Sequence, residues 1–204
     1  MDENFILEIR NSLSKNQCDA IIQKFENDPN KVSGICGGIV NNKVKTSIDL
    51  HITTLSKKDS EWKCIDDLLS RKLSESVNEY TEHLLKKYSN MRSGLFLDFL
   101  RNTHDMGYQI QMTEAGGFFD WHHDFKHETN DVRLITFIWY LNTLEPEQEG
   151  CTEFIHGTKI KPEAGKLLLF PATWTNVHRG CVLKSGKKYI ITGWLHFPIK
   201  YFQP

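Results

Sequence analysis

The stretch Lys188-Tyr189-Ile190-Ile191-Thr192-Gly193-Trp194-Leu195-His196-Phe197 decides the architecture. Its aromatic and β-branched residues favour an extended chain. Side chains on a strand alternate between faces, so Lys188, Ile190, Thr192, Trp194 and His196 share one side. Tyr189, Ile191, Gly193 and Leu195 take the other. The same period of two governs the chain from Tyr108 onward, interrupted by turn residues at short intervals. Strands are expected at 108–112, 118–125, 133–142, 152–155, 166–170, 176–183 and 188–197, with Ser185-Gly186 as a tight turn before the last.

Upstream the period changes. Ser14 and Gln17 have capping-box spacing, and Cys18, Ile21, Ile22 and Phe25 follow at helical steps. Asn27-Asp28-Pro29 should end that helix, because proline disfavours a helical residue before it. Trp62, Ile65, Leu69, Leu73, Val77, Tyr80, Leu84 and Tyr88 form one apolar stripe, predicting a scaffold helix over 60–88 with Asp59 or Ser60 as its N-cap. Residues 5–9 read as a short strand, 34–42 as turn-rich and 45–54 as strand-like. Helices followed by many short strands imply an α+β protein with a jelly-roll or barrel core. One domain is expected over 1–204, with helical support over about 1–100 and the β core over about 105–200.

A formal charge of −1 gives no global attraction to nucleic acid or anionic membranes. No apolar run approaches the roughly 18 residues of a membrane span. Cys18, Cys36, Cys64, Cys151 and Cys181 are odd in number and dispersed, which argues against a disulfide framework or a zinc ribbon. The N-terminus lacks the basic and apolar regions of a secretory signal, so a reducing, cytoplasmic compartment is expected.

The chemistry gathers on 118–125. His122 and Asp124 lie two apart and would project together from a strand. With a third, distant ligand they would complete the two-His-one-carboxylate set of non-haem Fe(II) oxygenases. His178 is the best candidate. Asp120 shares the expected face and rivals Asp124; Trp121 and His123 should point the other way as packing, and His127 into solvent. Lys188 opens a buried-looking strand. A buried ammonium needs an anionic partner, which a carboxylated co-substrate would supply, unless the side chain snorkels to the rim.

The ordered set His122-x-Asp124, Arg133 to Asn142, Gly150-Cys151-Thr152-Glu153-Phe154, Ile160 to Pro171, His178 and Gly186 to Trp194 resembles the Fe(II)/2-oxoglutarate-dependent dioxygenases, and within them the prolyl hydroxylases of prolyl 4-hydroxylase-like type. The resemblance spans roughly 108–197 and implies a double-stranded β-helix (jelly-roll) core. It implies that His122, Asp124 and His178 hold the iron, which removes Asp120 from contention. Lys188 would pair with the distal carboxylate of 2-oxoglutarate, with Tyr140, Thr192, Trp194 and Thr152 lining the same pocket. Arg179 is a candidate substrate contact or a rim arginine. Many relatives carry a tyrosine where this chain has Met112 and Thr113; Thr113 could still donate a hydroxyl, and the substrate end should differ.

The implied reaction consumes O2 and 2-oxoglutarate, releases succinate and CO2, and hydroxylates a C–H bond of a peptidyl residue, with proline the leading candidate and ascorbate as an accessory reductant. A free amino acid or other small metabolite is the alternative substrate, nucleic acid the least favoured. A non-catalytic jelly-roll binding module is the alternative of another class. Residues 34–42 and 125–132 are candidate lids.

Overall fold

The computed structural model describes residues 5–88, 100–127 and 130–199. In chain order the regular elements are β1 (Leu7–Ile9), α1 (Lys15–Asn27), β2 (Val32–Ser33), β3 (Ile48–His51), α2 (Ile52–Leu55), α3 (Ser60–Lys87), β4 (His104–Asp105), β5 (Gln109–Glu114), β6 (Phe119–His122), β7 (Asp131–Tyr140), β8 (Thr152–Phe154), β9 (Lys159–Ile160), β10 (Leu167–Pro171), β11 (His178–Gly180) and β12 (Lys187–Pro198). The strands form two antiparallel sheets. The larger runs β1-β10-β7-β12-β5-β3-β2, with β4 also on β12; the smaller runs β6-β11-β8-β9. This is an α+β fold with a jelly-roll core.

Alternation explains how the large sheet serves two layers. On β12, Tyr189, Ile191 and Leu195 join Phe137 and Trp139 of β7 and Leu167 and Leu169 of β10 in a core shared with the helices. The intervening residues Ile138, Tyr140, Leu168 and Phe170 turn inward and meet Phe154 and Ile160 of the small sheet. Gly193 sits where β12 is most crowded: a Cβ there would lie 2.4 Å from Phe137 Cζ and 2.6 Å from the Gly107 carbonyl.

The helices end where local chemistry requires. Ser14 accepts from Gln17 N while the Gln17 side chain accepts from Ser14 N, and α1 stops at Asp28. Asp59 caps α3 through Glu61 N and Trp62 N. Trp62, Leu69, Leu73, Tyr80 and Leu84 of its stripe are buried, and Ile65, Val77 and Tyr88 pack against them. Each fully buried large side chain contributes about 1.5–3 kcal/mol. Trp62 Nε1 also donates to Asp28 Oδ2 at 2.7 Å, tying α3 to the end of α1. Among the described residues no helix is long and apolar enough to cross a membrane.

Several strand expectations need correction. The strand expected over 45–54 is extended only at Ile48–His51 and then turns helical, because Thr53 bonds Asp66 and accepts from Tyr108 N. The strand expected over 118–125 ends at His122, where its pairing with His178 of β11 stops, so Asp124 lies on the irregular segment beyond. The strand expected over 176–183 keeps only His178–Gly180. Trp121 and His123 are exposed rather than packed. Trp121 is 38 % exposed on the outer face of the small sheet, where the Arg179 guanidinium lies over its ring.

Candidate active site

Ladder register brings the distant histidines together. His178 of β11 stands opposite His122 of β6, and their rings lie 4.3 Å apart. His122 Nδ1 lies 2.8 Å from the Asp120 carbonyl, and His178 Nδ1 lies 3.0 Å from the Asn176 carbonyl. A carbonyl only accepts, so each ring carries its proton on Nδ1 and leaves Nε2 as a lone-pair donor. Both Nε2 atoms aim at Asp124: His122 Nε2 is 3.7 Å from Oδ1 and His178 Nε2 is 3.6 Å from Oδ2. Asp120 thus takes part through its backbone, while its carboxylate accepts from Trp121 N.

The three ligand atoms lie within 4.8 Å of one another, the grouping of a mononuclear metal site. Thr136 of β7 donates to Asp124 Oδ2 at 2.8 Å and fixes its orientation. Phe119 stacks on His122 at 3.7 Å, and Phe170 meets His178 edge-on at 4.8 Å, locking both rings by packing. Burial would raise the Asp124 pKa, but the two histidines and the Thr136 hydroxyl outweigh it and hold the carboxyl below its ordinary range. Burial, with His178 adding to it, draws His122 down to about 4. A neutral imidazole and an ionised carboxylate are the protonation states in which these groups bind a divalent metal. The donor set fits Fe(II).

Between the sheets opens a cavity of about 690 Å³, lined by the three candidate ligands and by Thr113, Ile138, Thr152, Gly180, Lys188, Ile190, Thr192 and Trp194. Lys188 is the cation of its inner end. It is 7 % exposed, donates to the Gly150 carbonyl at 2.9 Å, and meets no carboxylate within ion-pair distance among the described residues. Burial draws its pKa down to about 8. A buried cation with one neutral partner fits a ligand carboxylate. Thr192 also lines the cavity, with its hydroxyl donating to the Phe137 carbonyl at 3.0 Å. Trp194 has the Arg133 guanidinium 3.6 Å from its ring centre.

Two of the expected contacts are placed elsewhere. Tyr140 is fully buried outside the cavity wall, and its hydroxyl donates to Thr152 Oγ1 at 2.7 Å; Thr152 is the member of this pair that reaches the cavity. Arg179 points to the outer face of β11, where it pairs with Glu153 at 2.6 Å and lies over Trp121. Alternation along β11 dictates this, since His178 and Gly180 face inward.

Sequence reasoning missed a second charged cluster in the same wall. Lys45 Nζ and Asp49 Oδ2 form a buried pair at 2.8 Å, and Asp49 also accepts from Ser47 and Gln109. Opposite charges of equal parity in a strand-like stretch were the available signal. Of the candidate lids, 34–42 contributes Ile35, Cys36, Gly37 and Gly38 to the cavity. The second contributes Phe125 and Lys126, and its residues 128 and 129 lie outside the described residues.

Residues 108–196 match the model of the 2OG-Fe(II) oxygenase superfamily. That match covers a little under half of the chain, and the chain as a whole has the fold of the solved prolyl hydroxylases. Its structure is similar to a viral collagen prolyl hydroxylase from Paramecium bursaria Chlorella virus-1 in complex with 2-oxoglutarate, at 19% identity and TM-score 0.60 over 96% of this chain and 98% of that one. A Pseudomonas putida prolyl-4-hydroxylase matches at 15% identity and TM-score 0.66, over 96% and 94%. A Trichoplax adhaerens prolyl hydroxylase, in complex with a peptide fragment of the hypoxia inducible factor oxygen degradation domain, matches at 19% identity and TM-score 0.69, over 98% and 86%. No curated protein sequence matches the chain.

Proposed function

We propose that this chain is a 2-oxoglutarate-dependent dioxygenase, acting as one domain over 1–204, that hydroxylates a peptidyl residue, with proline as the target, and converts 2-oxoglutarate to succinate and CO2. The observation that carries the reading is one cavity of about 690 Å³ holding both the His122, Asp124, His178 cluster and Lys188, with exposed Ile35 and Phe125 at its rim. A closed metabolite pocket has no such apolar margin, whereas a peptide can lie across it. The solved prolyl hydroxylase with a peptide fragment lends support by its fold.

In this reading His122, Asp124 and His178 hold Fe(II), which supplies the oxidative chemistry together with O2 and 2-oxoglutarate. Lys188 holds the distal carboxylate of the co-substrate, and Thr152, backed by Tyr140, offers it a hydroxyl at the same end. Thr136 keeps Asp124 oriented. Thr192 and Trp194 wall the pocket, and Thr113 faces the substrate end. The apolar inner residues Ile138 and Ile190 exclude water from the reacting centre. Ascorbate serves to keep the iron reduced between turnovers.

The test is succinate release with Fe(II), 2-oxoglutarate and ascorbate, comparing proline-containing peptides with free proline and other small metabolites, in wild type and His178→Ala. Peptide-stimulated succinate and a hydroxylated prolyl residue by mass spectrometry, both lost in the variant, are expected. Stimulation by a free metabolite alone would overturn the peptide assignment. Failure to bind Fe(II) and 2-oxoglutarate would make the chain a binding module.

A further inference from the structure

Cys151 and Cys181 are distant in sequence, yet their Sγ atoms lie 2.9 Å apart. Register explains the meeting. Gly180 stands opposite Thr152, so the next residues along, Cys181 and Cys151, face each other, and Cys181 N donates to the Cys151 carbonyl at 2.8 Å. Directly opposed residues of antiparallel strands have Cα atoms about 4.5–5.5 Å apart. That lies inside the roughly 4.4–6.8 Å that a disulfide spans. Both thiols are free and partly exposed, and both line an outer surface pocket of about 420 Å³ together with Glu153, Lys159 and Arg179. The hydrogen bond from Cys181, helped by Lys159 and Lys188, draws the Cys151 thiol down to about 7, so a thiolate is at hand near neutral pH.

The pair also touches the Lys188 subsite through the backbone. Lys188 donates to the carbonyl of Gly150, the residue before Cys151. A Cβ on Gly180, the residue before Cys181, would lie 3.6 Å from Lys188 Nζ. The ammonium keeps further N–H donors for a carboxylate, but its position is set by Gly150 and Gly180 on either side, and a crosslink at Cys151 and Cys181 restrains both glycines in the ligand-free arrangement.

We propose that Cys151 and Cys181 form a reversible disulfide that staples the two adjacent chain segments and weakens co-substrate binding at Lys188. The second half rests on the reading of Lys188 as the 2-oxoglutarate anchor. The oxidant is a low-molecular-weight disulfide such as oxidised glutathione. The Cys151 thiolate attacks one of its sulfurs, breaking that S–S bond and releasing one glutathione. The Cys181 sulfur then attacks Cys151 in the mixed disulfide, forming the internal bond and releasing the second. Two electrons pass from the cysteine sulfurs to glutathione disulfide, and the two thiol protons end on the released thiols.

The full chain is equilibrated in glutathione buffers of graded ratio, alkylated and mapped by mass spectrometry. A Cys151–Cys181 linked peptide that dithiothreitol removes is expected, absent from Cys151→Ser. The crosslinked form should melt about 5–10 °C higher, since the bond closes a loop of some thirty residues. Calorimetric titration of 2-oxoglutarate into Mn(II)-loaded protein should show affinity weakened about fivefold in the crosslinked form. Absence of the linked peptide at every ratio overturns the disulfide. Equal or tighter binding in the crosslinked form overturns the coupling. If the reduced protein binds no 2-oxoglutarate, the Lys188 reading fails and the coupling with it, while the peptide map still decides the bond.

Discussion

Replacing Lys188 by Met should make the ligand-free protein more stable and disable it. The side chain is buried with no carboxylate in ion-pair reach among the described residues, and burial takes its pKa from the ordinary 10.5 to about 8. At 1.36 kcal/mol per tenfold change in proton affinity, keeping the ammonium charged near neutral pH costs the fold about 3 kcal/mol. Methionine preserves the length and removes the charge; the Gly150 carbonyl loses a hydrogen bond worth about 1 kcal/mol. A net gain of about 2 kcal/mol remains, or a Tm higher by roughly 4–8 °C. The sign with pH follows from the lowered pKa. The unfolded lysine binds its proton more tightly than the folded one, so wild-type stability rises between pH 8 and 10.5 on this account. The advantage of the variant is therefore complete below pH 8 and fades toward 10.5. Its 2-oxoglutarate affinity should fall at least about a hundredfold, since losing one partner of a buried charge pair costs about 3–5 kcal/mol. Urea unfolding at pH 7 and pH 10, with calorimetry of 2-oxoglutarate, measures both. A variant less stable than wild type at pH 7, or one with unchanged affinity, refutes the reasoning.

Two further substitutions probe the cavity wall. Lys45→Met strands the Asp49 carboxylate, 1 % exposed, with Ser47 and Gln109 as its remaining hydrogen-bond partners among the described residues, and should cost about 3–5 kcal/mol in urea unfolding. Pairing it with Asp49→Leu should recover most of that loss; no recovery would show that the charge pair is not its source. Thr136→Val removes the hydroxyl that orients Asp124 and should weaken Mn(II) binding about 10–100-fold by calorimetry, with little change in Tm.

Much of this architecture is local and therefore legible. Ser14, Asp59 and Pro29 mark helix ends by their own hydrogen bonding and backbone limits, and the stripe from Trp62 to Leu84 needs only helical geometry. Alternation along β12 separates the helix-facing Tyr189, Ile191 and Leu195 from the cavity-facing Lys188, Ile190, Thr192 and Trp194. What could not be read depends on pairing between strands. Cys151 meets Cys181 only because β8 and β11 take one register, so a count of dispersed cysteines carries no trace of it. Arg179 turns outward because β11 is anchored by His178, and Tyr140 spends its hydroxyl on a neighbouring strand's threonine. The helical turn at Ile52–Leu55 depends on Asp66 and Tyr108, partners that local pattern cannot supply.

The central claim is that one small molecule bridges the metal cluster and Lys188. Titrating 2-oxoglutarate anaerobically into the protein with and without Fe(II) tests it most directly. The account predicts one site per chain whose affinity depends on Fe(II), with the metal dependence abolished in His178→Ala and residual metal-free binding abolished in Lys188→Met. Metal-independent binding of unchanged strength in wild type and both variants would contradict it.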